Sequence, residues 1–313
     1  MDLAQAVRQL DAAADQSRLR LLVALLGGET RVGDLVHMLE QSQPRVSRHL
    51  RLLMEAGLVD SFREGRSIFY RWSDGAIDSG VAGFVAAVAA GSDATITHDR
   101  ERLQKLVRQR ERDAVRRALR SGHARTLHGT GTDELPTELR TALAGTRESS
   151  AGTVEQPLDF LHVGCGSGEL LGVLLPEARV VVGTEASGHR RELARARLRQ
   201  SGLPRWTIRE SGPAPLPFFN SAFDVVILED ALGPAPADQP LPALLEAVRV
   251  LRPDGRLVIL DRVLPTEDRV ANRLAEVGLC ITRRQWLPGR APDRALFVAR
   301  RQAASTGRTG THD

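Results

Sequence analysis

The chain has 313 residues, a formal net charge of +4, 42% apolar and 26% charged residues, which is the composition of a folded globular protein with room for two ordinary domains. No apolar run approaches the ~18 residues of a bilayer-spanning helix, and the early acids of "MDLAQAVRQLDAAADQSRLR" do not read as a secretion signal. Two cysteines, Cys165 and Cys280, exclude a disulfide framework and a cysteine-rich metal cluster, so a reducing cytoplasm without a membrane partner is the expected setting.

The chain opens with helices. Asp15-Gln-Ser17 offers an N-cap to "RLRLLVALL", whose Leu19, Leu21, Leu22, Leu25 and Leu26 recur at helical spacing until Gly27-Gly28. "RVGDLVHMLE" is a short helix with Val32, Leu35, Val36 and Leu39 on one side. In "QSQPRVSRHLRLLMEAGL", Ser42 suits the N-cap, Pro44 the first turn and Gly57 the stop. "LVDSFREGRSIFYRWS" reads as two strands around Glu64-Gly65. An Ala-rich helix is expected over 76–90 and a basic one over 99–119. Residues 121–157, rich in Gly, Ser and Thr, read as a linker with at most one short helix near Leu135–Leu143.

Positive charge gathers in this part of the chain. Residues 41–72 hold six Arg against three acids, and 99–125 hold ten basic residues against four acids, which points to a polyanion partner. On "SQPRVSRHLRLL" the apolar Val46, Leu50 and Leu53 alternate with a polar face. Ser42, Gln43, Arg45, Ser47, Arg48, His49 and Arg51 are the candidates to reach bases or phosphates, and Arg63 and Arg66 at the hairpin tip to reach the backbone or minor groove. Over about residues 5–90, "VGDLVHMLEQSQPRVSRHLRLLMEAGLVDSFREGRSIFYRW" resembles the ArsR-type winged-helix regulators. That resemblance implies double-stranded DNA as partner. It also implies a homodimer built through residues 2–14 and 76–90, and a palindromic operator with half-sites about one helical turn apart. Arg31-Val32-Gly33 stands where metal-sensing members carry a Cys-x-Cys pair. His98, Asp99, His123 and His128 lack a ligand spacing. No metal is expected.

From residue 158 strands and helices alternate. "LDFLHVG", "ARVVVGTE", "RWTIRE", "FDVVILED" and "RLVILDRV" are strands. "ELLGVLL", "RRELARARLRQSG", "LPALLEAVRVL" and "EDRVANRLAEVG" are helices, and "CITRRQWLP" with "RALFVARRQ" forms a hairpin. This pattern means a mostly parallel α/β sheet. In "FLHVGCGSGEL", Gly164, Gly166 and Gly168 follow a strand and open a helix, and Glu185 ends the next strand, where an acid can accept ribose hydroxyls. With "LPFFNSAFDVVILEDAL" and "EAVRVLRPDGRLVILDRV" in order, the segment 157–300 resembles the class I S-adenosylmethionine-dependent methyltransferases. The resemblance assigns Gly164, Cys165, Gly166, Gly168, Glu185, Ala186 and Glu229 to S-adenosylmethionine or S-adenosylhomocysteine, and places Glu229 and Asp230 where substrate-facing residues lie. It also marks departures. His162 and Gly212 stand where that family usually has acids, with Glu210 two residues from the second. The only aromatic between 73 and 159 is Phe84.

The expected fold is therefore multidomain: an N-terminal mostly-α winged helix-turn-helix and a C-terminal α/β Rossmann-like methyltransferase fold with a terminal antiparallel hairpin. The expected boundaries are 1–95 for DNA binding and dimerisation, 96–156 for the basic helix and linker, 157–302 for the methyltransferase-like domain and 303–313 for a disordered tail. Three functions are open. One is a regulator, a repressor by expectation, with the adenosyl compound as effector. The second is an active methyltransferase with a DNA-binding head. The third is a repressor whose second domain is structural. His162 and Gly212 relax the pocket from catalytic constraint and favour the first.

Overall fold

The computed structural model describes residues 2–76, 79–120, 158–174, 178–201, 206–229, 242–262, 267–287 and 294–302. The expected linker with its short helix near 135–143, His123, His128, Asp230 and the 303–313 tail lie outside the described residues. The chain divides into two compact units, Met1–Thr130 with Cys165–Pro176 and Val180–Glu210, and Gly131–Gly164 with Glu177–Arg179 and Ser211–Asp313.

The first unit begins with α1 (Leu3–Ala13), α2 (Gln16–Leu26), β1 (Thr30–Arg31), α3 (Val32–Leu39) and α4 (Gln43–Glu55). The hairpin β2 (Val59–Glu64) and β3 (Ser67–Trp72) follows, then α5 (Gly80–Ala90) and α6 (Ala94–Arg120). The Asp15 carboxylate caps α2 by accepting from the Arg18 N–H at 3.0 Å. Leu21, Leu22, Leu25, Leu35, Leu50 and Leu53 are fully buried in one core, each burial worth about 1.5–3 kcal/mol. β1 joins the hairpin in the order β1-β3-β2, with Thr30 opposite Tyr70 and Val59 opposite Trp72. This is the expected winged helix-turn-helix.

The helix starts that differ most from expectation are those of α6 and α5. α6 begins at Ala94 rather than 99, because the Asp93 side chain accepts from the N–H groups of Thr95 (2.8 Å) and Ile96 (3.0 Å). α5 begins at Gly80 rather than 76, where the Ser79 hydroxyl accepts from the Ala82 N–H. The first unit also contains α7 (Glu169–Leu174), most of β5 (Ala178–Thr184), α8 (Gly188–Gln200) and β6 (Trp206–Arg209). β5 and β6 run parallel, Val181 opposite Trp206.

The second unit holds β4 (Leu158–Val163), β7 (Phe223–Glu229), α9 (Pro242–Val250), β8 (Leu251–Arg262), α10 (Glu267–Glu276), β9 (Leu279–Leu287) and β10 (Arg294–Arg301). β4, β7 and β8 are parallel neighbours. β10 then pairs antiparallel with β8, and β9 antiparallel with β10. Val225, Val226, Ile227 and Leu228 in β7 are all fully buried, as expected for a strand covered on both faces. β8 starts five residues before the expected 256. Its pairing with β7 shifts register between Phe223 and Val225, so "LRPDG" is drawn into the extended strand. Strands β4 to β10 make a seven-stranded sheet, the Rossmann-like class with its terminal antiparallel hairpin. Among the described residues no single helix is long and apolar enough to cross a membrane.

Candidate functional site

Helix α4 sorts its residues by physical type. Its apolar Val46, Leu50 and Leu53 are buried against the head, and Pro44 occupies the first turn. Ser42, Gln43, Arg45, Arg48 and Arg51 are exposed, and Ser47 is half-buried. The charged edge is thus left for a ligand while the apolar edge docks. Arg63 and Arg66 are exposed at the hairpin tip, where the Arg63 Nε–H donates to the Gly65 carbonyl at 3.0 Å. His49 is placed differently. Its ring is turned toward Asp15, with Nδ1 3.7 Å from Oδ1, and its side chain is mostly buried. Burial pushes the imidazole below its ordinary value, and the Asp15 charge only partly offsets this.

The glycine-rich turn after β4 is left-handed at Gly164 (φ 72°), Gly166 (φ 56°) and Gly168 (φ 81°), a region where an L side chain is strained. A Cβ on Gly164 or Gly166 would meet no atom within 4 Å, whereas one on Gly168 would press on the backbone of Ala194 at 3.0 Å. The first two therefore expose backbone, and the third serves helix packing. Cys165 is buried and its N–H donates to the Thr184 carbonyl at 2.8 Å. Its thiol fills the space beside Gly183, 2.7 Å from where a Cβ would stand.

Glu185 follows β5, and its carboxylate is nearly buried. One oxygen accepts from the Gly166 N–H at 3.1 Å and the other from the Ser187 N–H at 2.7 Å. Arg190 Nη1 lies 3.9 Å from the oxygen that accepts from Gly166, beyond hydrogen-bond distance; a carboxylate offers about four acceptor directions, so capacity for two further donors remains. A vicinal diol, the ribose edge of an adenosyl compound, fits that donor demand. The backbone of Ala186 contributes by its carbonyl, which accepts from Arg191.

In the second unit His162 is fully buried on β4. Its Nε2 lies 3.5 Å from Oε2 of Glu229, at the end of β7, and neither ring nitrogen makes a hydrogen bond. The "LPFF" segment is fastened by α9. Glu246 accepts from the Leu216 N–H at 2.6 Å, and Arg249 donates to the carbonyls of Leu216 (2.9 Å) and Phe218 (2.8 Å). Gly212, just before it, is half-buried and Phe219 is exposed.

Sequence reasoning missed a third feature. In "RRELARARLRQ", Arg191, Arg195 and Arg199 recur at i, i+4 and i+8 on α8, a spacing that reads as a solvated stripe. In the structure Arg191 and Arg195 are buried. Arg195 Nε donates to Glu29 (2.6 Å) and its Nη2 to Glu64 (2.6 Å). Arg191 Nε also donates to Glu64 (2.9 Å). Arg199 donates to the Glu29 carbonyl (2.6 Å) and the Thr30 hydroxyl (2.7 Å). Glu29 additionally accepts from the Thr207 hydroxyl and the Ile208 N–H.

The wing aromatics carry cations on their faces. Arg195 lies 4.2 Å from the Phe69 ring centre and Arg209 4.0 Å from that of Phe62. Trp206 packs so closely on Gly28 (φ 98°) that a Cβ there would stand 2.3 Å from the indole. Burial pushes the Glu64 carboxyl up, but the Arg195 and Arg191 guanidiniums outweigh it and hold it below its usual value. A cavity of about 30 Å³ beside this network, lined by Glu29, Arg31, Asp34, Arg110, Glu192 and Arg199 among others, is far too small for a nucleoside.

Two families match the chain. Residues 15–61 match the bacterial regulatory protein, arsR family, and residues 161–259 match the methyltransferase domain. The transcriptional activator HlyU of Vibrio cholerae is 43% identical over 70 residues, 22% of this chain and 65% of that protein. The arsenical resistance operon repressor of Escherichia coli is 46% identical over 61 residues, 19% of this chain and 52% of that protein. Methyltransferase GfsG of Streptomyces halstedii is 36% identical over 124 residues, 38% of this chain and 43% of that protein. The chain therefore spans between about half and two-thirds of the two regulators and less than half of the methyltransferase.

Proposed function

We propose that this chain, an ArsR-type helix-turn-helix head followed by a methyltransferase domain, is a DNA-binding transcriptional regulator that senses S-adenosylmethionine or S-adenosylhomocysteine. The observation that carries the reading is the Glu185 turn. A nearly buried carboxylate with spare acceptor capacity sits beside the half-buried Gly166, whose missing Cβ leaves the turn open, in the same compact unit as the exposed Arg45, Arg48 and Arg51 face. The residues of that unit that would hold the ligand are Cys165 and Gly166 at the turn and Glu185 and Ala186 at the ribose side, with Gly168 packing the turn against α8. S-adenosylmethionine, when bound, supplies an electrophilic methyl group; the sensing role needs only its differential affinity for two states of the protein.

On the DNA side, Ser42, Gln43, Arg45, Ser47 and Arg48 would address base edges and phosphates of a palindromic operator. Arg51, Arg63 and Arg66 would address the backbone, with His49 supporting the helix. A homodimer is supported by α1, where Leu3 (81% exposed), Val7 and Leu10 form an apolar stripe at helical spacing, and by exposed Phe84 on α5. The working compartment is the cytoplasm. Among the relatives above one regulator is an activator and one a repressor; repression is the direction proposed here.

The test is calorimetry of each adenosyl compound with the full chain, followed by operator gel shifts in its presence. Binding in the micromolar range that alters operator affinity is the expected result. Absence of binding at millimolar ligand removes the reading. A second reading, an active methyltransferase, is favoured by the likeness to GfsG. It requires methyl transfer from labelled S-adenosylmethionine to a component of cell extract, which the sensing reading does not.

A further inference from the structure

The sensing reading leaves open how a ligand at the Glu185 turn would be felt by the DNA-binding head. One side chain touches both. Arg191 Nη1 donates to the carbonyls of Glu185 (2.7 Å) and Ala186 (2.6 Å), and its Nε donates to Glu64 at 2.9 Å. Its Nη2 lies 3.3 Å from Glu210. A guanidinium is a rigid planar fork whose donors cannot move independently. Displacing the Glu185–Ala186 backbone therefore displaces the donor offered to Glu64.

Glu64 is the last residue of β2, at the wing tip, between the candidate backbone contacts Arg63 and Arg66. Those two are exposed, but the Glu64 carboxylate is 8% exposed, withdrawn between Arg191 and Arg195. Arg195 is anchored behind it on fully buried Glu29. A carboxylate released at that tip would face the phosphates that Arg63 and Arg66 address, and like charges there oppose binding. Held as it is, it leaves the tip positive.

Resting on the sensing reading, we infer that the Arg191–Glu64 ion pair is the latch through which the adenosyl site controls the wing: ligand hydroxyls on Glu185 fix the turn, Arg191 holds Glu64 back from the DNA, and operator binding tightens. Arg191 is a positioning residue here, since it reaches ligand only through the Glu185–Ala186 backbone. Coupling of this kind is reciprocal and commonly amounts to about 5–150-fold.

The test uses the full-length protein, S-adenosylhomocysteine, and a duplex selected by repeated binding to the protein. In wild type, ligand should tighten operator binding about fivefold or more. In Glu64→Gln the effect should fall below about twofold, while calorimetry without DNA still finds S-adenosylhomocysteine within about threefold of the wild-type affinity. A Glu64→Gln protein that binds ligand and keeps the wild-type effect overturns the latch and leaves the sensing reading intact. A wild type that binds no ligand overturns the sensing reading and the latch with it. Should Glu64→Gln fail to fold, amide exchange in the wild type decides: ligand must slow exchange in 185–187 and in 59–72 together, and protection of 185–187 alone overturns the latch.

Discussion

At Glu64 three residues that are charged in water meet in a space that excludes it. Such a cluster stabilises only while every partner is present, because removing one strands the others. Arg195 is the hub, donating to Glu29 and Glu64, with Glu192 3.2 Å away. Arg195→Met should cost on the order of 3–5 kcal/mol, read from the urea midpoint of the full chain; a loss below about 1 kcal/mol would mean that the carboxylates find other partners. Glu246 makes a second, pH-dependent case. The Arg249 side chain, the larger influence, and the Leu216 N–H pull its carboxyl down to about 2. Its contribution is thus full above the ordinary glutamate value of about 4.3 and is lost as pH falls toward 2. Glu246→Gln should remove that part of the acid sensitivity, and acid titration of the 211–222 segment by tryptophan-independent probes such as amide exchange should show it.

These residues were the least legible in the sequence. Leu21, Leu22, Leu25, Leu50 and Leu53 were readable as core because apolar side chains at helical spacing have one economical destination, and all five are buried. Arg191 and Arg195 at the same spacing were not, because a charged stripe is ordinarily solvated and only a tertiary partner turns it inward. The signal available was the spacing itself, Arg every fourth residue through α8, with Glu29 and Glu64 far away in the chain and nothing to join them.

Apart from the two-residue β1, which pairs with β3 and has no pattern of its own, element order and type were legible through the described residues, and the ends less so. Local hydrogen bonding explains the differences. The Asp93 cap draws the start of α6 back to Ala94, and Ser79 draws the start of α5 forward to Gly80. β8 gained "LRPDG" because pairing with β7 tolerates a register shift, a property of two strands together and invisible in one. For α4 the sequence reading and the placement of side chains agree on which face is apolar, so its polar face can be tested directly. Arg45→Ala and Arg48→Ala should each weaken operator binding. Loss of a base contact costs about 1–3 kcal/mol and relaxes sequence preference, whereas loss of a phosphate contact lowers the salt slope by about one. Titrations at several salt concentrations separate the two, and an unchanged affinity in both variants would place the interface elsewhere.

For the whole molecule, composition and the switch from clustered helices to alternating strands were enough to recover two architectures in one chain. The spread of the first compact unit over α8 and β6 as well as the head was not recoverable, since the contacts within it, Arg191 with Glu64 and Arg195 with Glu29 among them, join residues more than 100 positions apart. Self-association belongs to this scale. Leu3, Val7 and Leu10 leave an apolar stripe on α1; if the proposed homodimer forms through it, Leu10→Glu should shift sedimentation equilibrium from dimer to monomer and weaken binding to a two-half-site operator more than to a single half-site, and a wild type that sediments as a monomer would contradict the proposal.

The most direct measurement is the operator affinity of the full-length protein across a titration of S-adenosylmethionine and of S-adenosylhomocysteine at fixed salt. A saturable change in operator affinity, tightening by about fivefold or more at a ligand concentration matching the calorimetric affinity, is expected. A protein that binds its operator identically with and without saturating ligand would contradict the sensing role.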